Sequence, residues 1–159
     1  MTRNTLVMWL DDAYAMELQV LPVLRSHAIR TAARPDVQAR IEAHIDQTVN
    51  HLERVRQALK GLGSAPSKVR TGPALVMGAG ERLPGGILSD GLLKDAIIAY
   101  TTEQFEVAAY TALIAGAEQA GEAEVARLCR LNRAEDEDMA EWFDAQIPIL
   151  IEHSAPIGR

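Results

Sequence analysis

Aromatic residues make up only 4% of this 159-residue chain, while alanine, leucine, glutamate and arginine are plentiful, a balance that argues against a sheet and for an all-α protein. The chain has one cysteine, Cys129, so no internal disulfide can form. That residue reads as a small apolar side chain on a helix in a reducing compartment. No apolar run approaches the roughly 18–20 residues of a membrane span. The opening stretch MTRNTLVMWLDDAYAMELQVLP carries acids where a signal peptide has its apolar segment, so a cytoplasmic location without membrane contact is expected. Basic excess is missing as well: 16 Lys and Arg against 22 Asp and Glu give a formal net charge of −6, and the basic residues are scattered. A phosphate-tracking nucleic-acid binder needs the opposite balance. GAGERLPGG is glycine-rich but follows no strand and has neither phosphate-loop nor dinucleotide spacing.

What is present is helical periodicity within one domain, residues 1–159. The first helix is expected over about 4–30, with Asn4 or Thr5 as cap and Leu6, Leu10, Ala13, Leu21 and Leu24 recurring at three and four. Its heptad series Leu10, Glu17, Leu24 puts an acid where an apolar residue belongs, and Pro22 predicts a kink. Pro35 or Asp36 opens a second helix over about 36–62 with a stripe of Ile41, Ile45, Thr48, Leu52, Val55, Leu59 and Leu62, ended by Gly61 and Gly63. His44, Gln47 and His51 share an adjoining face of it.

Residues 63–89, broken by Pro66, Pro73, Pro84 and Gly85-Gly86, read as a long crossover with a short helical turn near Ala74 to Met77. A third helix over about 90–120 uses Leu93, Ile97, Tyr100, Val107, Tyr110 and Ile114, and stops at Gly121. Within it, Glu103 and Glu106 stand one turn apart at or near the inner face. The fourth helix, about 122–152, has the heptad series Leu128, Glu135, Trp142. On that register Glu135 faces the core, Asp138 borders it, and Asp136 and Glu137 turn to solvent. Pro148 predicts a kink near its end.

Four helices joined short, long, short describe a four-helix bundle of two antiparallel hairpins with one crossover. Counting back from each turn levels Glu17 with residues near 49, and Glu103 and Glu106 with the acids of the fourth helix. The off-pattern polar residues therefore meet at one height. Buried carboxylates cost several kcal/mol each unless a cation, a proton or good donors compensate them. A carboxylate layer with one or two imidazoles suits one or two ions of iron or manganese, with candidate ligands Glu17, His44, Gln47, His51, Glu103, Glu106, Glu135 and Asp138. The alternative is a layer that shares protons or bonds Tyr14, Tyr100 and Tyr110, holds no metal and fixes helix register. No nucleophile-and-base pair marks a hydrolase, so no catalytic residue is assigned.

The segments DDAYAMELQVLP, HIDQTVNHLERV and EQFEVAAYTALIAGAEQAGE resemble the ferritin-like YciE/YciF family of bacterial stress-associated proteins, over about Leu6 to Ile151. The resemblance implies a ferritin-like fold, a homodimer and, as in some members, metal at the bundle centre. If the metal layer is redox active, the reaction expected of it is oxidation of ferrous iron by oxygen or peroxide. It matches Glu17, His44 with Thr48, Glu103, Glu106, Tyr110 and Glu135 to the family pattern. The chain departs from the Glu-x-x-His pairs of di-iron bundles. It offers His44-x-x-Gln47 and Glu135-x-x-Asp138 instead.

Overall fold

The computed structural model describes residues 1–67 and 91–153. Among these residues the chain forms four helices: α1 (Arg3–Arg30), α2 (Pro35–Gly61), α3 (Gly91–Gln119) and α4 (Ala123–His153). The short turn expected near Ala74 to Met77, and the crossover beyond Ser67, lie outside the described residues.

Local chemistry sets the helix ends. Thr2, rather than Asn4 or Thr5, caps α1: its hydroxyl accepts from the Thr5 amide at 3.2 Å. Pro35 opens α2, where its missing N–H costs nothing. Gly63 and Gly121 terminate α2 and α3 with φ of +75° and +74°. At each, the amide of the glycine and the one after it turn back onto the final helical carbonyls, Lys60 and Leu59 in one case and Glu118 and Ala117 in the other. Both internal prolines, Pro22 and Pro148, lie within continuous helix and are exposed, so water can satisfy the carbonyls they leave unpaired.

The buried positions alternate at three and four along every helix. In α1 they are Leu6, Leu10, Ala13, Glu17, Val20, Leu24 and His27, as the heptad through Glu17 predicts. In α2 they run Val37, Ile41, His44, Thr48, His51, Val55 and Ala58, so the histidines stand on the core stripe itself and Ile45 only borders it. In α3 they are Ala96, Ala99, Glu103, Glu106, Tyr110, Leu113 and Ala117, with Ile97, Tyr100 and Val107 only half-buried. In α4 the stripe is Val125, Cys129, Asn132, Asp136, Met139 and Phe143. This corrects the expected register by one residue, a rotation of about 100°. Leu128 is also buried, but Leu131 is 41% exposed and Trp142 half-buried. The apolar run at those positions imitates a core stripe, while the polar pair Asn132 and Asp136 disguises the real one.

The helices form a ring in which α1 packs against α2 and α3, and α4 against α2 and α3; the diagonal pairs stay apart. Every neighbouring pair is antiparallel. Arg3 reaches the Gly61 carbonyl and Glu122 at one end, and Arg30 meets Asp95 and Arg34 meets Gln146 at the other. Two separate apolar clusters result. Leu6, Leu10, Val55, Leu59, Leu113 and Val125 belong to one, and Val20, Leu24, Ile41, Ala99, Met139 and Phe143 to the other. Between them lies a layer of polar side chains contributed by all four helices. None of the described helices is long and apolar enough to cross a membrane.

Candidate metal centre

Glu17, His44, His51, Glu103, Glu106 and Asp136 are each at most 1% exposed and occupy that layer. Each stands on a helix position that elsewhere along the stripe carries an apolar side chain. The same periodicity that builds the core therefore holds them together.

Both histidines are fixed from their outer side. His51 Nε2 lies 2.8 Å from Glu135 Oε2, and Arg54 grips both oxygens of that carboxylate at 2.8 and 2.9 Å. His44 Nδ1 meets the side-chain amide oxygen of Gln47, Oε1, at 3.0 Å. In the neutral rings that a metal ion requires, a proton on each outer nitrogen would serve these acceptors and leave the inner nitrogen its lone pair. The inner nitrogens face carboxylates: His51 Nδ1 is 3.3 Å from Glu17 and 3.4 Å from Asp136, and His44 Nε2 is 3.1 Å from Glu103. This is the arrangement in which a hydrogen-bonded acceptor orients a metal-binding imidazole.

Glu17 is held by the Tyr110 hydroxyl, which donates to Oε1 and accepts from Asn132 Nδ2 at 2.8 Å. Thr48, three residues before His51, turns its hydroxyl back to the His44 carbonyl at 3.0 Å. It stands where a Glu-x-x-His pair would place a glutamate. Glu106 contributes an oxygen near the centre without a fixed partner.

The electrostatics are those of uncompensated charge. Burial, and then the neighbouring charges of Glu17, Glu103 and Asp136, push the Glu106 carboxyl well above the usual carboxylate range. Burial also raises Asp136 well above its ordinary value, against the pull of His51 and with the added repulsion of Glu17, Glu103 and Glu135. Burial alone would depress His51, but Glu135 on one nitrogen and Glu17 and Asp136 beside the other lift it to about 10. Glu135 goes the other way: burial opposes ionisation, yet His51 and Arg54 bring it down to about 2.

Six buried atoms of the layer have no hydrogen-bond partner: Glu17 Oε2, His51 Nδ1, Glu103 Oε1, Glu106 Oε1 and both oxygens of Asp136. Such atoms are costly to bury. Two groups of three could each share a cation, Glu17 with His51 and Asp136, and His44 with Glu103 and Asp136, their ligand atoms lying within 4.8 Å of one another. Asp136 belongs to both groups. Carboxylate oxygen and imidazole nitrogen form a donor set that iron and manganese accept, so the residues fit such a metal.

The sequence-predicted candidates separate into three kinds. Glu17, His44, His51, Glu103 and Glu106 converge inside the layer. Gln47 and Glu135 stand behind the histidines, as acceptors for their outer nitrogens. Asp138 does not join them: its side chain is 70% exposed and pairs with Arg40. Asp136, expected at the surface, is instead the central acid of α4, and Asn132 was not anticipated at all. Their signal lay in Cys129, Met139 and Phe143, which complete a three-four series with them.

Comparison with known proteins agrees with this architecture. A protein of Xanthomonas campestris pv. campestris matches with 30% identity over 94% of this chain and 92% of its own, at a TM-score of 0.78. The Escherichia coli stress protein YciF shares 20% identity over 95% of this chain and 97% of its own, at a TM-score of 0.76. Mycobacterium tuberculosis bacterioferritin BfrA shares the fold at 13% identity, over 93% of this chain and 87% of its own, with a TM-score of 0.74. The model of the domain of unknown function DUF892 matches residues 1–155, and the chain, whose ferritin-like fold YciF shares, belongs to that family.

Proposed function

We propose that this protein binds one or two divalent ions, of iron or manganese, in the polar layer at the centre of the bundle. The observation that carries this reading is the set of six unpartnered buried atoms shared by Glu17, His51, Glu103, Glu106 and Asp136. Charge points the same way. Glu17, Glu103, Glu106 and Asp136 are four fully buried carboxylates, and two divalent cations would neutralise them with both histidines neutral.

Glu17, His51 and Asp136 would hold one ion, and His44, Glu103 and Asp136 the other. Iron bound there would supply one-electron chemistry toward oxygen or peroxide. The chain itself contributes orientation and exclusion of water. Tyr110 and Asn132 fix Glu17, Glu135 and Arg54 fix His51, and Gln47 fixes His44. The apolar clusters close the layer off along the bundle axis on both sides. We place the protein in the cytoplasm as a homodimer, a reading supported by its single cysteine and by the exposed Met8 and Trp9.

A second reading is a structural bundle of the stress-protein kind whose layer shares protons and holds no metal. The contacts of His51 with Glu135 and of Tyr110 with Glu17, which satisfy part of the layer from within the chain, favour it.

Elemental mass spectrometry on protein purified without a metal-affinity tag, before and after anaerobic addition of ferrous iron, separates the two. One or two ions per chain, lost in Glu17→Ala and Asp136→Ala, are expected. Absence of stoichiometric metal under both conditions would leave the proton-sharing layer.

A further inference from the structure

A cavity of about 390 Å³ opens between α1 and α3 and reaches the polar layer. Val20, Leu24, Ile98 and Ala99 give it apolar sides. Two carboxylates and an imidazole line it with decreasing exposure: the Asp95 side chain at 14%, His27 at 5% and Glu103 at 0%. Glu103 is also a member of the layer, with Oε2 on His44 and Oε1 unpartnered. The cavity thus runs from the surface toward the centre, and its lining includes a member of the layer that a cation would complete.

Both sides of the layer carry an arginine–carboxylate pair. On the α2–α4 side Arg54 covers Glu135, which is 25% exposed, and at the α1–α3 mouth Arg30 lines the cavity and is engaged by Asp95 at 2.5 Å and Ser26 at 2.6 Å. What sets the α1–α3 side apart is the cavity itself.

We propose that the α1–α3 cavity is the route by which a divalent cation reaches the layer, with Asp95, His27 and Glu103 as successive oxygen, nitrogen and oxygen contacts. The proposal rests on the metal-binding reading above. Carboxylate and imidazole in alternation suit a divalent ion of borderline hardness as it sheds water, and the cavity has room for several waters. His27 can serve only when neutral, and burial holds its pKa below the ordinary histidine value against the pull of Asp95. Stacking on Phe143, with ring centroids 5.7 Å apart, holds the imidazole in place.

The test is the rate of cobalt(II) uptake, followed by stopped-flow absorbance, together with the final cobalt content. Ile98→Trp fills the cavity from a half-buried wall position, and Asp95→Asn removes the acid at its mouth and leaves Arg30 uncompensated. Both are expected to load about tenfold more slowly than the parent, as loss of a focusing charge or path implies, while reaching the parent's stoichiometry. Asp138→Asn, an exposed acid elsewhere, should keep the parent's rate. Parent-like uptake in both cavity variants would overturn the route alone. Equal slowing in Asp138→Asn would do the same, by showing a general charge effect. A parent that takes up no cobalt would overturn both the route and the metal-binding reading. Because Asp95→Asn is conservative, the test survives a folding defect in Ile98→Trp.

Discussion

The metal-free protein should lose stability as pH rises through the range where most bundles are indifferent. His51 carries the effect. Its folded-state pKa is about 10 against 6.5 in the unfolded chain. Protonated His51 therefore stabilises the fold fully below about 6.5, and the contribution fades as pH rises through 10. At about 1.4 kcal/mol per pH unit, the interval between those values corresponds to roughly 5 kcal/mol. Glu106 and Asp136 act with the same sign, because their raised pKa values favour folding only while they stay neutral. Glu135 acts oppositely: its depressed pKa gives stability that is present above the usual glutamate range and is lost as pH falls toward 2.

The assay is urea unfolding in the presence of a chelator at steps from pH 6 to 10. We expect a fall of several kcal/mol in the parent, and a much flatter profile in His51→Gln, starting from lower stability. A parent whose metal-free stability stayed constant or rose across that range would refute the electrostatic account of the layer. Metal should reverse the trend, because ions compete with protons for the same ligands and bind more tightly as pH rises.

Other consequences follow from particular contacts. Glu135→Ala should weaken metal affinity by about 10- to 100-fold, as loss of an orienting acceptor does, without changing stoichiometry in a saturation titration. Asp138→Ala should leave metal content intact and cost less than about 1 kcal/mol, since the Arg40–Asp138 pair lies at the surface. Cys129 is 2% exposed and burial pushes its thiol up to about 12. A thiol reagent at pH 8 should label it only after denaturant is added.

Much of the fold was legible because helix periodicity and turn residues agree. Glycines 63 and 121, Pro35 and the Leu10–Glu17–Leu24 heptad marked helix ends and a core face that the structure retains. Polar substitutions within the stripes were harder to place. On α1 the acid sits between unambiguous leucines, so its direction could be read. On α4 four consecutive acids, Glu135 to Asp138, left the register to the surrounding apolar residues, and Leu128, Leu131 and Trp142 offered a competing stripe. The core register follows Cys129, Met139 and Phe143, one position later, which brings in Asp136 and turns Asp138 out toward Arg40. The roles of Gln47 and Glu135 depend on which ring nitrogen each faces, and helical spacing does not encode that.

Anomalous diffraction from crystals soaked in manganese(II) tests the central claim most directly. The account predicts anomalous density inside the bundle among Glu17, His51 and Asp136, with a second peak among His44, Glu103 and Asp136 when both sites fill. Manganese found only at surface acids such as Asp138, with none in the layer, would contradict it.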